Sequence, residues 1–182
     1  MNAASAAPAP RAPRQPRAAR SPAPPLPEFA KLDQAHRAAL EMLEAFDRLI
    51  AHLDDRGLDD TARASAREIL DFFNGPGRDH HAQEEAQVFP VLLASGDAEL
   101  VQHVHRLQQD HGWLDEDWHE LSPQIEGIAA GYNWYDLAML RNALPIYTAL
   151  HHEHIALEET VVYPAAKRAR EALDAGEKAR TA

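Results

Sequence analysis

The sequence predicts an all-α protein: an up-down-up-down four-helix bundle behind a Pro/Ala/Arg-rich N-terminal tail. Three observations carry that prediction. Four stretches repeat apolar residues at the spacing of a single helix face. Two of the three connections between them are very short, which makes neighbouring helices antiparallel. The 182-residue chain has 45% hydrophobic residues, 7% aromatics and 8 glycines, enough apolar surface for one core and a composition that leans to helix.

Taken in order, residues 1–27 hold 8 of the 13 prolines, four arginines (Arg11, Arg14, Arg17, Arg20) and no acidic residue. Such a segment cannot bury apolar surface and is expected to be disordered. The bundle is expected over residues 28–174, with a short C-terminal tail at 175–182. The first helix runs from about Glu28 to Asp54, with Leu32, His36, Leu40, Leu43 and Ile50 on one stripe. Asp55-Arg56-Gly57 ends it. Asp59 is placed to cap the second helix, which pauses at Asn74-Gly75-Pro76-Gly77 and resumes to about Ala94. Ser95-Gly96 turns the chain and Asp97 caps the third helix. Its face reads Leu100, Val104, Leu107, His111, Leu114, Trp118, Leu121, and it is expected to stop near Leu121. A longer loop with Pro123, Gly127 and Gly131 follows. The fourth helix runs from about Trp134 to Leu173, with a face of Leu140, Leu144, Tyr147, His151, His154, Glu158 and Val161. Pro145 is expected to kink it, because proline lacks a backbone donor and crowds the preceding turn.

Composition narrows the chemistry. The formal charge is −11, which disfavours nucleic acid as a partner. There is no cysteine, so disulfides, thiol chemistry, cysteine zinc sites and iron–sulfur clusters are all excluded. A transition metal would have to be held by nitrogen and oxygen. No apolar stretch has the length of a signal-peptide core or a membrane span, so a cytoplasmic protein that does not enter the membrane is expected.

An internal repeat says where a metal would sit. Residues 80–90 read HHAQEEAQVFP and residues 154–164 read HIALEETVVYP, with six of eleven positions identical. Each copy places a His four residues before a Glu: His80 with Glu84, and His154 with Glu158. On a helix those positions share a face about 6 Å apart, so an imidazole nitrogen and a carboxylate converge. With antiparallel helices, His36 and His111 fall at roughly the level of both pairs, within a spread on the order of 15 Å. The candidate metal ligands are therefore His36, His80, Glu84, His111, His154 and Glu158. Each Glu can bridge two ions and the four His can cap them, two per ion. Oxygen and imidazole donors suit iron or manganese best, with zinc possible. Burying four His and two Glu at one level without a metal would leave costly unpaired polar groups.

Local register leaves three points open. His81 and Glu85 form a second i, i+4 pair. The repeat favours His80, because Ile155 stands where His81 would recur; Glu85 and Glu159 are then supporting or solvent-facing residues. His151 lies one turn before His154 and is a candidate fifth ligand, proton relay or supporting partner. Tyr147 and Trp118 share the inner faces, chiefly as packing residues. His52, His103, His105 and His119 read as surface residues.

On the doubled His-x-x-x-Glu-Glu-x-x-Val-aromatic-Pro, the chain resembles the hemerythrin-like family, the HHE cation-binding domain, over roughly residues 28 to 173. The resemblance implies a four-helix bundle around a non-haem di-iron centre, and its ligands fall on the six positions named above. The respiratory hemerythrins carry a fifth His four residues from another on the third helix. Here those positions are Leu107 and Asp115, so reversible oxygen transport does not carry over directly. The set is closer to that of the family's iron-centre repair proteins, which usually add a Cys-containing N-terminal domain that this sequence lacks. The functions this implies are binding or sensing of O2 or NO at an open position, a di-iron enzyme reducing peroxide or NO, and iron storage or delivery. The redox or protein partner is not legible.

Overall fold

A computed structural model describes residues 27–181; the expected disordered tail falls, apart from Pro27, outside the described residues. Among the described residues every regular element is helical. In order they are α1 (Phe29–Arg56), α2 (Asp60–Asn74), α3 (Pro76–Gln83), a π-turn (Glu84–Val88), α4 (Phe89–Leu93), α5 (Ala98–Ala130), α6 (Leu137–Leu157), a second π-turn (Glu158–Val162) and α7 (Tyr163–Thr181). Segments α2 to α4 form one long rod, and α6 and α7 another. With α1 and α5 these make the four rods of the bundle. α1 packs on α2 and α6, and α5 packs on the same two.

The caps read from sequence are in place. The Asp59 side chain accepts from Ala62 N at 2.9 Å, and Asp97 accepts from Glu99 N and Leu100 N. The loop between the third and fourth rods is shorter than expected. α5 does not stop at Leu121 but runs through Pro123 to Ala130. Leu121, Ile125 and Ile128 keep the buried stripe going, while Pro123 sits on the exposed face, where water can serve the carbonyl it leaves free. Gly127 is helical rather than looped, and the Trp134 ring packs closely over it, 3.1–3.3 Å from where a Cβ would be. The rod ends at Gly131, whose φ of 85° is the left-handed cap that glycine adopts without strain. α6 starts at Leu137, three residues later than read, because Asp136 caps it by accepting from Met139 N. It continues through Pro145, which is exposed. α7 continues to Thr181, past the expected end of the bundle.

Two apolar clusters hold the rods together. One gathers Leu43–Leu53 of α1 with Ile69, Phe73, Leu114, Trp118, Ile125, Ile128, Leu140 and Tyr147. The other gathers Leu32, Val88, Phe89, Leu92, Val104, Leu107, Val162 and Tyr163. On each rod the candidate ligands lie between the two. His36 separates Leu32 from Leu43, and His111 separates Leu107 from Leu114. His80 and Glu84 lie between Phe73 and Val88; His154 and Glu158 lie between Tyr147 and Val162. A polar layer thus crosses the bundle between two dry ones, shielded from water at both ends.

Candidate metal centre

The repeat carries a local feature that helical periodicity did not reveal. In both copies the rod widens into a π-turn beginning at the Glu. Phe89 N–H reaches back to Glu84 O, and Tyr163 N–H to Glu158 O, five residues in each case. The signal was the proline that follows each aromatic. Pro90 and Pro164 have no N–H for the preceding turn, and a widened turn absorbs that loss. The extra residue also moves the inner face by one position. Val162 is fully buried where Val161 was expected, and Val161 is only partly covered.

All six candidate ligands are buried: His36, His80, Glu84, His111, His154 and Glu158 are at most 8% exposed. The structure brings them into two groups of four whose donor atoms lie within 4.8 Å of one another. One is His36, His80, Glu84 and Glu158; the other is Glu84, His111, His154 and Glu158. The two glutamates belong to both. Glu84 turns Oε1 toward His80 Nε2 at 3.4 Å and Oε2 toward His111 Nε2 at 3.5 Å. Glu158 Oε2 lies 3.1 Å from His36 Nε2 and 3.2 Å from His154 Nε2.

The residues behind the candidate ligands are placed to orient them. His36 donates from Nδ1 to Glu159, and His111 donates from Nδ1 to Glu85, each at 2.9 Å. The second Glu of each repeat therefore fixes the lone His of a neighbouring rod and turns its Nε2 inward. Asp110, which sequence reading missed, is buried at 1% exposure and points Oδ2 at His154 Nδ1 across 3.8 Å. Its only signal was a charge next to His111 on the inward side of an amphipathic helix. Tyr163 donates to Glu84 Oε1 in a short hydrogen bond, and its oxygen lies 3.1 Å from His36 Nε2. His151 donates from Nδ1 to the Tyr147 carbonyl at 2.9 Å, so the lone pair of the neutral ring is on Nε2. It joins neither group of four. His81 stacks on the His111 ring, centroids 4.1 Å apart, and forms a possible three-nitrogen group with His111 and His154. Trp118 packs as expected and donates to Asn74 Oδ1 at 2.8 Å.

The electrostatics favour neutral imidazoles at His80, His81, His151 and His154 beside a shared negative charge. Burial pulls His80 and His151 down to about 4, and lowers His81 and His154 as well. Burial also disfavours charge on both glutamates. Contacts from His111, His80 and Tyr163 keep Glu84 ionised, and Glu158, beside that charge, is raised well above its usual range. Burial would lower His111 too, but hydrogen bonds to Glu84 and Glu85 raise it. Both nitrogens of His80 and His154, His111 Nε2, Glu84 Oε2 and both oxygens of Glu158 are buried without a hydrogen-bond partner. Native interiors seldom leave so many polar atoms unpaired in one place. A cation on the Nε2 and carboxylate atoms fits them, and the nitrogen–oxygen donor set suits a first-row metal.

A helical bundle with buried imidazoles and carboxylates converging across all four rods is the scaffold of a metal-binding protein. This chain belongs to the hemerythrin family: the family's profile, described as the hemerythrin HHE cation binding domain, matches residues 28–172. It is also 27% identical over 124 residues to an uncharacterized protein of Haemophilus influenzae, covering 68% of this chain and 67% of that one. No solved structure matches it. Among the described residues no helix is long and apolar enough to cross a membrane.

Proposed function

We propose that this chain holds a non-haem di-iron centre on His36, His80, Glu84, His111, His154 and Glu158, and takes up a diatomic ligand, O2 or NO, beside it. The observation that carries the proposal is the pair of four-donor groups sharing Glu84 and Glu158. Two carboxylates common to both groups, with two separate imidazoles each, form the donor pattern of a bridged pair of ions rather than of one. When bound, ferrous ions would supply electrons and open coordination positions to such a ligand; zinc, which has no redox chemistry, would satisfy the donors without the electrons.

The protein's own contribution is a small, mostly apolar cavity with the charged Arg78 and Asp115 also in its lining. A cavity of about 30 Å³ adjoins His36, His80 and His154 and is walled by Ala39, Phe72, Phe73, Leu114, Trp118, Tyr147 and Ile155. Room for roughly two water-sized molecules admits a diatomic and excludes an organic substrate. His151 also lines it. Its Nδ1–H is committed to Tyr147, so the neutral ring has no donor left for a ligand in the cavity.

Anaerobic reconstitution with ferrous iron, metal counting and optical spectra before and after O2 and NO test the reading. The expected result is two irons per chain and stable oxygenated or nitrosyl spectra. Fewer than about two metals per chain would overturn the dinuclear assignment, as would full metal content in the His80→Ala, His154→Ala double variant. Sustained turnover with a reductant would make the chain an enzyme acting on peroxide or NO. Rapid loss of all iron to an apo-protein would make it an iron carrier.

A further inference from the structure

The two halves of the centre are built from a repeat, yet they differ at two of the positions where the repeat diverges, His81 against Ile155 and Phe89 against Tyr163. In the His111 and His154 half, His111 Nε2, His154 Nε2, Glu84 Oε2 and Glu158 Oε1 are all buried and unpartnered. In the His36 and His80 half, His80 Nε2 and Glu158 Oε2 are also unpartnered, but the Tyr163 hydroxyl donates to Glu84 Oε1 and sits 3.1 Å from His36 Nε2, between the two donors. An ion seated there must displace it. The matching residue of the first repeat is Phe89, which only stacks on His111 and competes for nothing.

The supporting residues divide the same way. Asp110 precedes His111 and faces His154 Nδ1. The residue preceding His36 is Ala35, and His80 Nδ1 is buried with no partner. The ring of His80 is thus the one proposed imidazole ligand with no carboxylate within 4 Å of its Nδ1, and an unheld ring loses more freedom on binding. His81 adds a third nitrogen near His111 and His154, where the second repeat has Ile155.

Resting on the di-iron reading above, we infer that the centre fills and empties in order. The His111 and His154 half takes the first ion and holds it, and the His36 and His80 half, beside the cavity, takes the second and exchanges it. Three independent differences point the same way: a free against a partly occupied donor set, a ring with a carboxylate within 4 Å of its Nδ1 against one with none, and a spare imidazole against an isoleucine.

The test is release of ferrous iron from the fully loaded protein to a coloured chelator without oxygen, followed in time. Wild type should lose one equivalent at least about tenfold faster than the other, the range that supporting partners of metal ligands control. His36→Ala should keep the slow equivalent, and His111→Ala should lose it. Asp110→Asn should speed the slow phase and leave the fast one unchanged. Tyr163→Phe, which writes the first repeat's residue into the second, should slow the fast phase. Circular dichroism checks that each variant is folded, and the isosteric Asp110→Asn and Tyr163→Phe serve where the alanine variants fail to fold. Release of both equivalents in one phase, or faster release from Tyr163→Phe, would overturn the ordering while leaving two irons per chain. A slow equivalent kept by His111→Ala and lost by His36→Ala would reverse it. A wild type that never binds two irons would overturn the di-iron reading itself.

Discussion

Removing Glu85 or Glu159 should weaken metal binding, although neither is a proposed ligand. Each accepts a 2.9 Å hydrogen bond from the Nδ1 of a buried histidine, His111 and His36 respectively. That bond fixes the tautomer, leaving the lone pair on the inward Nε2, and holds the ring against rotation. Loss of such a partner costs about 10–100-fold in metal affinity. Here the lower end applies, because the carboxylates are 46% and 45% exposed and water replaces part of the bond. Glu85→Ala and Glu159→Ala should each weaken binding about tenfold, or about 1.4 kcal/mol. The assay is competition with a chelator of known affinity. Glu44→Ala serves as the control, since Glu44 meets only Arg48 in an exposed pair at 3.5 Å and should change nothing. The two effects should also separate by partner. Glu85→Ala should add little in a His111→Ala background and its full effect in a His36→Ala background, because coupling follows contact. Affinity within twofold of wild type in both glutamate variants, with His36→Ala and His111→Ala strongly impaired, would refute the orienting role.

Three further outcomes follow from the fold. The metal-free protein should lose stability in mild acid. Burial lowers four histidines, His80 and His151 to about 4, against an unfolded value near 6.5, so between those values the unfolded chain binds more protons and stability rises with pH. That contribution is complete above about 6.5 and is lost as pH falls through about 4. Glu158 and His111, both raised, act in the opposite sense but are two groups against four. Urea midpoints that stay flat from pH 7 to pH 4.5 would contradict this. Ile128→Ala, fully buried in the apolar cluster away from the centre, should cost about 2–5 kcal/mol in urea unfolding and leave metal stoichiometry unchanged. Gly131→Ala should cost about 1–2 kcal/mol, because a Cβ is strained at a φ of 85°; an unchanged midpoint would show that the cap relaxes.

The parts of this molecule legible in sequence are those governed by local periodicity. The four rods, the caps at Asp59 and Asp97 and the common level of His36, His80, His111 and His154 all follow from spacing. What was not legible depended on contacts between rods. α5 passes Pro123 because Ile125 and Ile128 find a core to enter, and Gly127 stays helical because Trp134 from the next segment covers it. The partners of the ligands were beyond reach for the same reason. Nothing in the spacing of helix three says that Asp110 meets His154, or that Glu85 serves His111 rather than water.

The paired acids of the repeat show how the two kinds of information meet. On a regular helix Glu84 and Glu85 point about 100° apart, so when one faces the centre the other is turned toward a neighbouring rod or the solvent. The sequence places both, and the bundle makes use of both: Glu84 lies between the two donor groups while Glu85 reaches α5, and Glu158 and Glu159 do the same with α1. The π-turn that starts at the first acid lets the rod continue as α4 or α7 after the proline without breaking. The His-x-x-x-Glu-Glu motif therefore provides a candidate ligand pair for its own rod and a brace for the next. Two copies then suffice to support all four rods, with His36 and His111 needed only to be braced.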